Sequence, residues 1–258
     1  MQKDSINFYG LYSLIKKEIL RYCKVFNQTI IAPVINSLLF LAIFTLAFGD
    51  RMIESSSMNY AVFIAPGLIA MTLIQNSFAN SSSSLCTSKI LGYVSDVIIP
   101  PISAIEYVLA SVIAACSRGI IVALLTALAI RYFVEFNILH LSSFIYYLII
   151  SSLLLAIFGT LCGIFANSFD QMSALTSYII TPLSFLSGTF YSVNKLPEFW
   201  LKVSQYNPFF YIIDGFRYSI TGYSDASIKF GILYLAACFI TTFMITLYLF
   251  NKGYRIKS

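Results

Sequence analysis

The sequence predicts an all-α integral membrane protein of six transmembrane helices, preceded by an amphipathic interface helix and carrying outer re-entrant helices between spans five and six. Three observations carry that prediction. Hydrophobic residues make up 59% of the 258-residue chain and charged residues 10%, with a mean hydropathy of +0.82, whereas a soluble domain has about 25% charged residues. Five windows reach the roughly 20 apolar residues needed to cross a bilayer core, about 29 to 48, 60 to 79, 143 to 165, 172 to 191 and 228 to 250, and a sixth, about 106 to 130, is interrupted only by Arg118. Finally, Lys3, Lys16, Lys17, Arg21 and Lys24 precede the first window, and Lys252, Arg255 and Lys257 follow the last. The positive-inside rule then puts both termini in the cytoplasm, which requires an even number of crossings. The net charge of +5 sits mostly in these tails, so it reads as topology and lipid headgroup contact, not nucleic-acid binding.

The elements follow in order. Over residues 6–27, Phe8, Tyr12, Ile15, Ile19, Tyr22 and Phe26 recur at steps of four and three, with Lys17, Arg21 and Lys24 on another face. That is a helix lying flat on the cytoplasmic leaflet, either bracing the first span or simply anchoring the topology. Pro33 in the first span and Pro66 in the second each release a helix carbonyl that a neighbouring helix or water must satisfy. Gln75 and Asn76 follow in the second span as interhelical glue or as the lining of a hydrated path. The polar run Asn80 to Ser84 is expected to end that span and to open a cytoplasmic segment, residues 84–105. There Ile90, Val94 and Val97 form one helical stripe beside Tyr93, and Pro100 and Pro101 stop it.

Arg118 lies near the middle of the third span, where an arginine costs about 2.5 to 3.5 kcal/mol to insert. It stands too far along the helix from Glu106 to pair with it, so it must find a partner, a cavity or a headgroup elsewhere. Ser111, Ala115, Gly119 and Ala123 form a row of small residues, and Gly159 and Gly163 repeat the pattern in span four. Such rows make close helix seams, within one subunit or between two.

The stretch from Pro182 to Gly222 suits neither a plain span nor a solvated loop. It mixes Phe190, Tyr191, Phe199, Trp200, Phe209 and Tyr211 with Lys195, Glu198, Lys202, Asp214 and Arg217. Pro197 and Pro208 are placed to start two short helices, the second capped by Asn207. Asp214 and Arg217 stand three apart, close enough to pair. The expectation is a pair of re-entrant helices over 188–222 at the outer membrane edge.

Catalytic patterns are missing from the sequence. None of the twelve glycines begins a phosphate-binding loop, one histidine and scattered acids make neither a metal site nor a His-based triad, and no chain of mid-membrane acids suggests a proton-coupled carrier. What remains is a pathway-forming subunit driven by something else.

FIAPGLIAMTLIQNSFANSSSS, the segment ending PPIS, the pair Arg118-Gly119 and, above all, FLSGTFYSVNKLPEFWLKVSQYNPFFYIIDGFRYSITG resemble the permease subunits of ABC-2 type transporters, in the YadH-like branch. The resemblance runs from about Tyr9 to the C-terminus. It implies a single transmembrane domain over residues 1–258, integral to the bacterial inner membrane, that dimerises with a second copy and exports a substrate. It also implies that this chain is not itself an enzyme: ATP and Mg would bind separate ABC ATPase subunits. The segment after span two would be the coupling helix that docks on the ATPase, with Lys89, Tyr93 and Asp96 as contact residues. Relatives commonly carry more charge there, so the contact in this chain is expected to be more apolar. Asn76, Arg118, Phe190, Tyr191, Phe209 and Tyr211 are candidates for the translocation path or its exit, and an aromatic exit suits an amphipathic, lipid-linked or glycan-like cargo. A gradient-driven carrier or channel is the competing expectation.

Overall fold

The computed structural model describes residues 7–48, 52–53, 58–92 and 103–253. Its regular structure is helical apart from a two-residue antiparallel pairing of β1 (Met52–Ile53) with β2 (Met58–Asn59). The surface helix α1 (Phe8–Cys23) leads through a π-helical turn (Asn27–Ile31) into α2 (Ala32–Phe48). Then come α3 (Tyr60–Ile90), α4 (Ala104–Phe133) and α5 (Leu141–Phe165). Next, α6 (Phe169–Leu175), a second π-helical turn (Thr176–Ile180) and α7 (Thr181–Leu186) run on without a break in helical backbone. A 3-10 turn (Val193–Lys195), α8 (Glu198–Tyr206), α9 (Pro208–Thr221) and α10 (Ile228–Asn251) complete the chain. Among the described residues, five helices are long and apolar enough to cross a membrane: Asn27–Phe48, α3, α4, α5 and α10.

The central element is α3, about 46 Å long at 1.5 Å per residue and buried along most of its length. It extends well past the apolar window that marked it. The polar run Asn80 to Ser84, expected to leave the helix, stays in it and is largely buried. The hydroxyls of Ser81, Ser82, Thr87 and Ser88 bond back to carbonyls of their own helix, which removes most of the cost of burying them. Residues 84–90 of the expected cytoplasmic segment are therefore the last turns of α3, while 93–102, including Tyr93 and Asp96, lie outside the described residues.

The rows of small residues are seams within this one chain. Gly119 of α4 sits against Ser77, and Gly159 of α5 against Ser81 and the Phe78 carbonyl, so close that a Cβ at either glycine would collide. Both α4 and α5 thus press on α3 from different sides. By contrast, α2 and α10 leave most of their apolar surface outward.

Contacts sort the helix ends into two poles. At one pole, the end of α3 meets the end of α5, because Lys89 Nζ donates to the carbonyls of Ile164 and Ala166 at 2.8 Å. The start of α4 meets the end of α10 there, with Tyr107 stacked on Phe250 at 4.9 Å. The backbone N–H of Asn7, just before α1, donates to Glu106 at the start of α4. At the opposite pole, Tyr60 at the start of α3 bonds the Phe190 carbonyl at 2.9 Å, and His140 before α5 bonds the Ser219 carbonyl at 3.0 Å. Both described ends of the chain share the first pole, and the run from α6 to α7 carries the chain from one pole to the other.

Candidate functional site

From the middle of α3 and α4 toward the first pole, a polar seam begins at Pro33. A proline has no N–H, so the carbonyl four residues before it, that of Thr29, has no α-helical donor. Arg118 of α4 supplies one: its Nε donates to Thr29 O at 3.3 Å and its Nη2 to Asn76 Oδ1 of α3 at 2.9 Å. Asn76 returns its own amide N–H to Thr72 O at 2.9 Å. One turn along α3, Asn80 receives Arg21 of α1, whose Nη2 donates to its carbonyl at 2.7 Å and to its side-chain oxygen at 3.1 Å. The Arg21 Nε also pairs with Glu18 at 3.0 Å. Between the two arginines, the hydroxyls of Tyr22 and Ser117 join α1 to α4 at 3.1 Å. Burial pushes the Tyr22 hydroxyl above its ordinary pKa, against the pull of the Ser117 bond. Glu106 closes the pole: its carboxylate takes the N–H of Ser103 at 2.6 Å in a capping box and also the N–H of Asn7.

The opposite pole is built around Arg217, whose side chain is fully buried. Helix α7 ends at Gly188, whose φ of +84° strains any L side chain. The chain then turns so closely over α3 that a Cβ at Gly67 would stand 2.5 Å from Thr189 O. As the spacing predicts, Asn207 caps α9, accepting from Phe209 N at 3.1 Å, and its amide reaches back to Ser187 Oγ at 2.7 Å. Pro197 sits at the cap of α8, one residue before its expected place in the first turn. Along α9, Arg217 points inward. Its Nη2 donates to Gly188 O at 2.5 Å, and its guanidinium lies 4.0 Å from the centre of the Phe63 ring.

The expected pair of Asp214 with Arg217 is corrected here. Arg217 Nη1 stands 3.6 Å from Asp225, in the loop before α10. Asp225 also accepts from Ser192, Asn194 and Tyr223 at 2.7, 2.9 and 2.7 Å. Asp214 caps that same loop, accepting from Ser224 Oγ and Asp225 N at 2.7 Å each. Burial holds its carboxyl above the usual carboxylate range, opposed by those two donors and by the charge of Arg217. Spacing favours Asp214, three residues before Arg217, over Asp225, eight residues after it, but the loop N–H groups decide which one pairs.

The remaining candidates separate. Asn76 and Arg118 come together midway along α3 and α4. Phe190 lies in an aromatic group at the second, stacked on Phe44 at 4.2 Å and 5.4 Å from Phe185, with Tyr191 bonded to Leu186 O at 3.1 Å. Phe209 and Tyr211 are core residues, 4% and 6% exposed, and the exposed aromatics of this region are Phe199, Trp200 and Tyr206 on α8. An apolar crevice of about 540 Å³ runs between α2, the start of α3 and the end of α4, lined by Leu38, Leu41, Thr45, Ala61, Phe133 and Val134. Its one hydroxyl, on Thr45, is bonded to Leu41 O and Ala42 O.

Residues 9–221 match the sequence pattern of the ABC-2 type transporter family. The chain belongs to that family. It is 33% identical over 252 residues to the inner membrane transport permease YadH of Escherichia coli strain K12, across 96% of this chain and 97% of that protein. The same figures hold for the YadH proteins of Escherichia coli O157:H7 and Shigella flexneri. This ABC-2 chain is the permease subunit of a transporter. Its sequence reading missed Thr29, Arg21, Asn80 and Asp225 as members of the two networks. For Thr29 a signal exists, since Pro33 marks its carbonyl as orphaned.

Proposed function

We propose that this ABC-2 permease crosses the bacterial inner membrane six times with both termini in the cytoplasm, and pairs with a second copy to form an export path driven by separate ATPase subunits that bind ATP and Mg. The observation that most supports the topology is the sharing of one pole by both described chain ends, with α6 and α7 returning the chain to the other. Lys16, Lys17, Arg21, Lys24, Lys89 and Lys252 lie toward the shared pole, as expected for a cytoplasmic face. The connection between α3 and α4 leaves and re-enters there, which suits an ATPase-docking segment with Lys89 fixing its root and Tyr93 and Asp96 as contacts. At the other pole, α8 and α9 act as the re-entrant pair. Exposed Phe199 and Trp200 face the outer leaflet, and Phe190 and Tyr191 stand by the exit. The apolar crevice and the aromatic group suit an amphipathic, lipid-linked or glycan-like cargo better than an ion.

Gentle-detergent purification of the tagged chain from its own cells, with mass spectrometry of co-eluting proteins, tests this. Stoichiometric recovery of an ABC ATPase subunit, weakened when Asp96→Ala and Tyr93→Ala are combined, is the expected result. Recovery of the folded chain alone, transporting without regard to ATP depletion, would replace the proposal with a gradient-driven carrier.

A further inference from the structure

The structure joins α1 and α2 by a corner, residues 24–33, that a helix of this kind does not need for topology alone. The corner contains a π-helical turn whose Ala32 N–H bonds to Asn27 O, and Pro33 follows at once. Pro33 leaves Thr29 O without a helical donor. Arg118 fills that vacancy from α4 and holds Asn76 of α3 with the same guanidinium. One residue earlier on α4, Ser117 meets Tyr22 of α1. Three elements that are distant in sequence thus converge on one side chain.

We infer that Arg118 is a positioning residue for transport: it pins the corner between α1 and α2 onto α3 and α4, so that these pieces move as one body when the cytoplasmic connection between α3 and α4 is displaced. Three features argue for this over a bland interior contact. First, the guanidinium is planar with forked donors, so a single group fixes both the distance and the angle between its two acceptors. Second, both acceptors are neutral. Among the described residues no carboxylate pairs with Arg118, so an ion pair is not what retains an arginine at this depth. Third, α1 is held again at its other end, where Glu106 binds the N–H of Asn7 and of Ser103. Ser103 directly follows the connection. A push there reaches the start of α4, through Glu106 the start of α1, and through Arg118 the corner and α3. The source of the push rests on the exporter reading above, but the pin itself does not.

The test exploits the proline. Arg118→Leu alone strands Thr29 O and Asn76 Oδ1 and can fail by misfolding. In the triple variant Pro33→Ala, Asn76→Leu, Arg118→Leu, position 33 regains an N–H for Thr29 O and no acceptor is stranded, so the fold is kept and only the pin is lost. Hydrogen exchange is read on the full chain in lipid nanodiscs, together with its co-purified ATPase. For the triple variant, exchange at residues 24–33 is expected to rise at least tenfold while α4 and α5 stay protected. ATP turnover stays within about twofold of the parent. The difference in exchange at residues 187–206 between ADP and ATP with vanadate falls at least fivefold. Arg118→Lys, which reaches one acceptor at a time, lies between. A triple variant with parental protection at the corner overturns the pin, and one that loses corner protection yet keeps the full nucleotide response at 187–206 overturns the transmitting role. If the parent chain carries no ATPase and shows no nucleotide response, the exporter reading falls and with it the transmitting role, while corner exchange still decides the pin.

Discussion

Arg118 and Arg217 are both held inside the helix bundle, the first midway along α4 and the second near the pole opposite the chain ends, and they are held in opposite ways. Arg118 is only half-buried and bonds two neutral acceptors, contributed by the helical turn before α2 and by α3. Arg217 is fully buried and has a carboxylate, a carbonyl and an aromatic face around it. The first arrangement ties separate helices together and can be dismantled without leaving charge behind. The second closes one compact region, residues 188 to 225, onto α3, and removing the arginine strands the buried Asp225 carboxylate. The contacts of Arg118 can therefore be replaced by neutral groups, whereas those of Arg217 involve a buried charge pair.

Substitutions at the two sites can break that contrast. The largest effect is expected from Arg217→Leu, which leaves Asp225 as a buried carboxylate without its cation. Breaking such a pair costs about 3 to 5 kcal/mol, read as loss of folded protein in detergent or a large fall in the thermal midpoint. Adding Asp225→Asn removes the stranded charge and returns part of the loss. Arg118→Leu follows, at about 2 to 4 kcal/mol for two stranded acceptors, and here Asn76→Leu with Pro33→Ala returns nearly all of it. Equal recovery at both sites would erase the distinction.

Gly67→Ala comes next, at about 1 to 3 kcal/mol, because the new methyl meets backbone at Thr189, which cannot swing aside. Gly119→Ala meets chiefly a serine hydroxyl and is expected to cost less in the same unfolding assay. The smallest effect belongs to Lys202→Ala, which breaks the exposed pair with Glu198 at 2.7 Å on α8. Such pairs contribute about 0.3 to 0.5 kcal/mol, so a shift as large as that of Gly67→Ala would mean that α8 is held far more tightly than its exposure implies.

The contrast also explains what the sequence made legible. Apolar windows mark α2, α5 and α10 well, because lipid-facing and core positions are both apolar and the run is uninterrupted, and in α4 only Arg118 interrupts it. The end of α3 escapes the same reading. Serines at 81 to 84 resemble a loop, yet they provide the small surface that Gly159 needs and bond to their own backbone. Asn207 and Pro208 identified the start of α9 because capping is local chemistry. Asp214 with Arg217 misled because their partners are set by the fold. The N–H groups at 225 and 226 claim Asp214, and the arginine turns to Asp225. Arg118 was recognised as needing a partner, but its two acceptors, Thr29 and Asn76, lie on other helices that no spacing rule connects. The aromatics between 190 and 211 divide for a similar reason: hydropathy does not distinguish Phe209, which packs inward, from Phe199, which faces out.

The order of synthesis gives the Arg118 arrangement one more consequence. Both of its acceptors, Thr29 and Asn76, precede it in the chain. When α4 leaves the ribosome and its arginine must enter the lipid, at a cost of about 2.5 to 3.5 kcal/mol, the carbonyl and the amide that receive it are already inserted. Arg217 also emerges after Phe63 and Gly188, but its carboxylate is still to come. The first arginine thus enters a socket prepared during translation, whereas the second is completed only once the loop before the last helix has been made.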